Sequence, residues 1–161
     1  KPWAVATTLS VPETVDGETL DQRLYEAARR QGKSIFGIET AAEQITVLNG
    51  MRPSDQIELL KGAVDTFDQR YRIYDALIRD YRARDITAIF ALDHKYGGGR
   101  ALARDVERRL FLERNRRMVT RILPHLKGGK VFVAVGAGHL AGGDGVLGLL
   151  QRQGYTVARV Y

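Results

Sequence analysis

The segment Lys130-Val131-Phe132-Val133-Ala134-Val135 constrains the fold more than any other part of the chain. It is a continuous apolar run, and it stops at the Gly-rich turn Gly136-Ala137-Gly138-His139. Such a run reads as a buried strand. The residues from about Asp144 to Gln153 read as a helix closed by Gly154, and Tyr155 to Val160 reads as a last strand. Strand, turn, helix, strand is a βαβ unit whose two strands run parallel. A second apolar stretch, Ser34 to Thr40, reads as a further strand ending in the carboxylate of Glu39. The expected class is therefore α/β: a parallel-containing sheet with flanking helices, a long helical insertion over residues 53–127, and the C-terminal βαβ unit.

Between those stretches the pattern is helical. Trp3 to Ser10 reads as a short strand or a helical turn. Leu20, Leu24, Ala27 and Ala28 have helical spacing up to Gly32, and Ala41 to Leu48 predicts a short helix stopped by Asn49-Gly50. Pro53-Ser54 opens the longest predicted element, with Ser54 as its N-cap. Its apolar residues are Ile57, Leu60, Val64, Phe67, Tyr71, Tyr74, Ile78 and Tyr81, in steps that alternate three and four. That is a heptad seam, and it predicts either a buried helical hairpin or a dimer interface. Asp85 is placed to cap a helix from Ile86 to about Lys95, ended by Gly97-Gly98-Gly99, and another helix is predicted from Ala101 to Leu126.

A chain of 161 residues suffices for one domain with a core, and residues 1–161 are read as that domain. No apolar stretch approaches the ~18 residues of a membrane span. The absence of Cys excludes disulfides, thiolate metal sites and a Cys nucleophile. The net charge of +6 raises the question of an anionic partner. Acids are interleaved with the arginines, however, with Asp105 to Arg109 and Glu113 to Arg117 spaced i,i+4. This is the pattern of a solvated helix face, and no nucleic-acid recognition motif accompanies it.

The few serines lie outside any nucleophile elbow, and no zinc-peptidase helix or P-loop is present. Of His94, His125 and His139, the last stands out, because it sits in the turn at the carboxyl edge of the predicted sheet. It reads as a catalytic or metal-binding imidazole, or as a loop histidine; the other two read as structural or solvated. Glu39 ends a strand that would emerge at the same edge, where a carboxylate and an imidazole can do acid–base work or hold a divalent metal. Taken alone, Glu39 reads as a strand-end group facing water.

Arg114 lies on the apolar stripe of its helix, between Leu110 and Met118. It either pairs with an inward acid such as Glu39, faces a polar site, or snorkels along the helix edge. Asn115 is likewise flanked by apolar residues. The turn Gly136 to Ala141 also matches the dinucleotide fingerprint G-x-G-x-x-A, although no acidic ribose ligand ends the last strand.

Several segments in order resemble the TraB/GumN family, which includes the Tiki proteins. They are Asp21, Leu24, Ala27 and Gly32-Lys33; Gly37-Ile38-Glu39-Thr40 with Gln44; Glu113-Arg114-Asn115 with Met118; and Val135-Gly136-Ala137-Gly138-His139-Leu140-Ala141-Gly142 with Gly145 and Gly154-Tyr155. The resemblance implies metal-dependent hydrolysis of the metalloprotease type, acting on a peptide or small molecule. It implies a divalent metal (Mn, Co or Zn) held by His139 and Glu39, with Glu39, His139 and Arg114 catalytic and Asn115, Gly136 and Gly138 contacting substrate. The family carries two Gly-x-x-His motifs; Gly136 and His139 match the second, and the first is absent here. The chain is accordingly expected to be the C-terminal part of a longer domain, pairing with an N-terminal segment or with a second copy. A periplasmic or extracytoplasmic location is implied by the same resemblance. A non-enzymatic assembly module using the heptad helix and a dinucleotide-binding half-domain are the alternatives.

Overall fold

The computed structural model describes residues 1–13, 17–96 and 100–160; at 90, 93–96 and 100–103 it describes the backbone path alone. Gly97-Gly98-Gly99 and the His94 side chain, both singled out in the sequence, lie outside the described residues. The helices are α1 (Pro2–Ser10), α2 (Leu20–Arg30), α3 (Ala41–Asn49), α4 (Pro53–Asp65), α5 (Arg70–Arg82), α6 (Ile86–Tyr96), α7 (Arg100–Glu107), α8 (Glu113–Leu126) and α9 (Val146–Arg152).

Local chemistry sets most of their ends. α1 starts with Pro2 at its first turn, which resolves the strand-or-helix choice for this segment. α2 opens with a capping box in which Gln22 N donates to Thr19 Oγ1 and Thr19 N donates to Gln22 Oε1. α3 repeats the device with Thr40 and Glu43. A hydrogen bond from Arg121, followed in effect by the one from Thr40 N, holds the Glu43 carboxyl down at about 2. Asp85 accepts from Ala88 N and caps α6 as its position predicted. The N-cap of α4 is Arg52 rather than Ser54. Gly154, at φ +89°, closes α9 in a left-handed conformation that other residues adopt only at a cost.

The fold is a helical assembly, not an α/β sheet. Among the described residues no strand is present, so the expected parallel sheet and C-terminal βαβ unit are absent. Residues 34–37, 131–136 and 155–160 run without helix and without a ladder to one another. The apolar residues that suggested strands are buried in another way. Ile38, Val133 and Val135 lie against a cluster formed by Met118, Val119 and Ile122 of α8 and Val146 of α9. Phe132, between Val131 and Val133, is 78% exposed. An extended segment thus gains burial on alternate side chains by resting on helices, and period-two patterning does not by itself supply the backbone partner a strand requires.

A second cluster joins Met51 and Val106 with Leu48, Leu59 and Leu110. α1 packs along α4, where the buried residues Ala6 and Ala63 are small enough to let two helices approach closely. α5 packs on α6 across the turn that joins them.

The continuous helix predicted to open at Pro53-Ser54 and to run through Tyr81 is broken at Thr66, where the 3₁₀ turn Phe67–Gln69 separates α4 from α5. Thr66 Oγ1 donates back to the Gly62 carbonyl, a local bond that competes with helix continuation. The heptad residues do not form a buried seam: Ile57, Val64, Phe67, Tyr71, Tyr74 and Tyr81 are all exposed. α4 turns Asp55, Gln56 and Ala63 inward instead.

Candidate functional site

The site is built on the start of α8. The chain from α7 reaches it through a π turn, Arg108–Leu112, a loosened helical geometry that is frequent beside functional sites. Two consecutive residues then point into different polar contacts. Arg114 reaches Glu39, at the entrance to α3. Its Nε lies 3.1 Å from each carboxylate oxygen, and Nη2 lies 2.7 Å from Oε2. Nη1 donates to the Leu110 carbonyl at 3.2 Å. Arg117, one turn on, brings Nη2 to 3.7 Å from Glu39 Oε1. The Glu39 side chain is only 3% exposed, so it is a buried carboxylate facing two guanidinium groups. Of the alternatives open to Arg114 on its apolar stripe, the structure shows pairing with the inward acid Glu39.

Asn115 makes the second contact. It is 2% exposed. Its Nδ2 donates to the Asp144 carbonyl at 2.9 Å, and its Oδ1 lies 2.7 Å from His139 Nδ1. His139 is buried in the 3₁₀ turn Ala137–His139, with the Phe111 ring 5.4 Å from its own, centroid to centroid. Burial pushes the imidazole below the usual histidine range; the Arg114 charge acts in the same direction, and Glu39 opposes both.

Gly138 has a steric reason to be glycine, since a Cβ there would meet Phe111 Cε1 at 2.9 Å. Gly136 has none of that kind: a Cβ would sit 3.7 Å from His139 Cδ2, an ordinary contact. The turn does not open a helix, because α9 begins only at Val146. A dinucleotide pyrophosphate would need a helix N-terminus directly after the glycines.

The structure therefore joins Glu39 with Arg114 and His139 with Asn115, and the adjacency of Arg114 and Asn115 links the two pairs. His125 stands apart and exposed, stacked on Phe36. Three contributors escaped sequence reasoning. The i,i+4 spacing sets Arg117 with Glu113 on a solvated helix face, but Glu113 pairs with Arg108 and Arg117 turns to Glu39. Phe111 is one more apolar helix residue until the turn folds onto it. Asp144 acts through its carbonyl, which no sequence pattern marks.

Among the described residues no three His, Cys, Asp or Glu side chains come together to hold a metal ion. Glu39 already faces Arg114 and Arg117, which disfavours a cation in the same place. These residues by themselves do not fit a divalent-metal centre.

Comparison with known proteins decides the relationship: residues 1–159 match the TraB/PrgY/gumN family. The chain belongs to that family. Among curated proteins, it is 26% identical to a metalloprotease TIKI homolog from Nematostella vectensis over 88% of this chain and 35% of that protein. It is 28% identical to metalloprotease TIKI2 from Xenopus tropicalis over 86% of this chain and 31% of that protein. The chain thus spans about a third of the length of these TraB/PrgY/gumN relatives. No solved structure matches it. Among the described residues no helix is long and apolar enough to cross a membrane.

Proposed function

We propose that this chain carries part of a hydrolytic site of the TraB type, acting on peptide bonds outside the cytoplasm. Two of its relatives are named metalloproteases. The observation that carries the reading is the coupling of an ion-paired buried carboxylate to a buried imidazole through Arg114 and Asn115. In this reading His139 Nε2 takes a proton from the attacking water and returns it to the leaving amine. Arg114 favours the neutral imidazole, the form that accepts a proton, and Glu39 holds Arg114 in place. The test is to incubate wild type and His139→Gln with a peptide mixture and count new N-termini by mass spectrometry. Wild type should generate them, and the variant about 100-fold fewer or less. Equal cleavage by the two proteins would remove His139 from the chemistry.

The exposed α4–α5 stripe favours a second reading, self-assembly. α4 exposes Glu58 and Asp65 against Lys61, and α5 carries Arg70, Arg72, Arg79 and Arg82 against Asp75 and Asp80. Antiparallel pairing of two copies sets each acidic helix on a basic one. Sedimentation of wild type against Tyr71→Glu separates the two readings, since only the assembly reading requires a wild-type dimer that the variant loses.

A further inference from the structure

We infer that Asn115 is a positioning residue that fixes His139 in the Nδ1–H tautomer and leaves the Nε2 lone pair free to act. The inference rests on the hydrolytic reading for its use, but the tautomer itself follows from hydrogen-bond chemistry. The Asp144 carbonyl can only accept, so the Asn115 atom 2.9 Å away is the amide nitrogen. The amide oxygen therefore faces His139, and at 2.7 Å from Nδ1 it too can only accept. The ring nitrogen must then be the donor. A neutral imidazole carries one ring proton, which places the lone pair on Nε2. Among the described residues no group bonds Nε2 and no buried side-chain nitrogen or oxygen lacks a partner, so Nε2 keeps contact with solvent.

The chain of constraint extends one step further back. Arg152 of α9 donates from Nη1 to the Gly143 carbonyl at 2.6 Å and from Nη2 to Asp144 Oδ1 at 2.8 Å. It pins the loop that presents the Asp144 carbonyl. Asn115 has both amide groups engaged and is fully enclosed, so its part is played through His139 and not on substrate. Burial and the Arg114 charge support the same arrangement by keeping the ring neutral.

Ring-nitrogen chemical shifts of ¹⁵N-histidine-labelled chain, recorded at pH 8, test this without reference to activity. The expected wild-type spectrum has a protonated, pyrrole-type Nδ1 and an unprotonated, pyridine-type Nε2 for His139. A wild-type Nε2–H tautomer overturns the inference before any variant is made. Asn115→Leu removes the acceptor and should lose the wild-type pattern; its retention in a folded Asn115→Leu chain also overturns the inference. Because Asn115 is buried and Asn115→Leu can unfold the chain, the wild-type spectrum carries the decision in that event. A wild-type Nδ1–H tautomer in a chain that cuts no peptide supports the positioning role and removes the hydrolytic reading.

Discussion

The α8 stripe and the α4–α5 stripe are written in the same code and end in opposite environments. Leu110, Arg114, Met118 and Ile122 recur at helical spacing, and their helix is covered: Met118 and Ile122 are buried against α9, and the cation among them meets a buried acid. Ile57, Val64, Phe67, Tyr71, Tyr74 and Tyr81 also recur regularly, and stay exposed. Periodicity states which residues share a face. Whether that face is covered depends on what the rest of the chain brings to it. At α8 the extended segments, α9 and Glu39 all arrive. At α4 the helix turns Ala63, Gln56 and part of Leu59 inward and leaves Ile57 and Val64 outside.

Breaking the buried ion pair should separate the regions most sharply. Arg114→Met leaves Glu39 enclosed with only the more distant Arg117, and should cost about 3–5 kcal/mol in urea unfolding. Recovery in the double variant Arg114→Met, Glu39→Leu would identify the stranded carboxylate as the cause. Ile122→Ala empties the α8–α9 cluster and should cost about 2–5 kcal/mol. In the other region, Phe67→Ala should cost about 1 kcal/mol or less, as surface substitutions commonly do. A loss of the size seen for Ile122→Ala would mean that the α4–α5 stripe is covered in solution, and its dependence on protein concentration would show whether by a second copy.

The metal prediction sharpens the contrast from the polar side. Calorimetric titration with Mn²⁺, Co²⁺ or Zn²⁺ should show no stoichiometric binding at micromolar affinity, since the chemistry assembled at α8 lacks three convergent donors among the described residues. Micromolar binding lost in His139→Ala would make His139 part of a complete centre. The smallest effect concerns pH. The imidazole pKa is lowered in the folded chain, so as pH falls below about 6.5 the unfolded state takes up a proton before the folded state does. Stability present above that pH is lost progressively beneath it, down to the folded value. His139→Gln should flatten this part of the profile in urea unfolding between pH 8 and pH 5.5.

Much of the site was legible because buried charge is expensive. An arginine on an apolar stripe demands an acid, and Glu39, the nearest strand-end candidate in the reading, is the acid that meets it. Asn115 was visible because a buried polar group needs partners, but one of them was not: the Asp144 carbonyl carries no sequence mark. Three of the four segments that carry the family resemblance, at Glu39, Arg114-Asn115 and His139, are also the ones that meet at the site.

The amino-acid sequence alone determined several helix ends, because caps, prolines and terminal glycines act over one turn of chain: Thr40 with Glu43, Asp85 and Gly154 need no distant partner. It also determined family membership, since residues 1–159 carry the match. Only the tertiary structure decided that Lys130 to Val135 rests on helices without a strand beside it, that the heptad face is uncovered, and which nitrogen of His139 is bonded. Each of these depends on a neighbour far away in the chain. A hydrogen-bond ladder, a covered face and a tautomer are properties of pairs, and apolar spacing along one segment describes only one member.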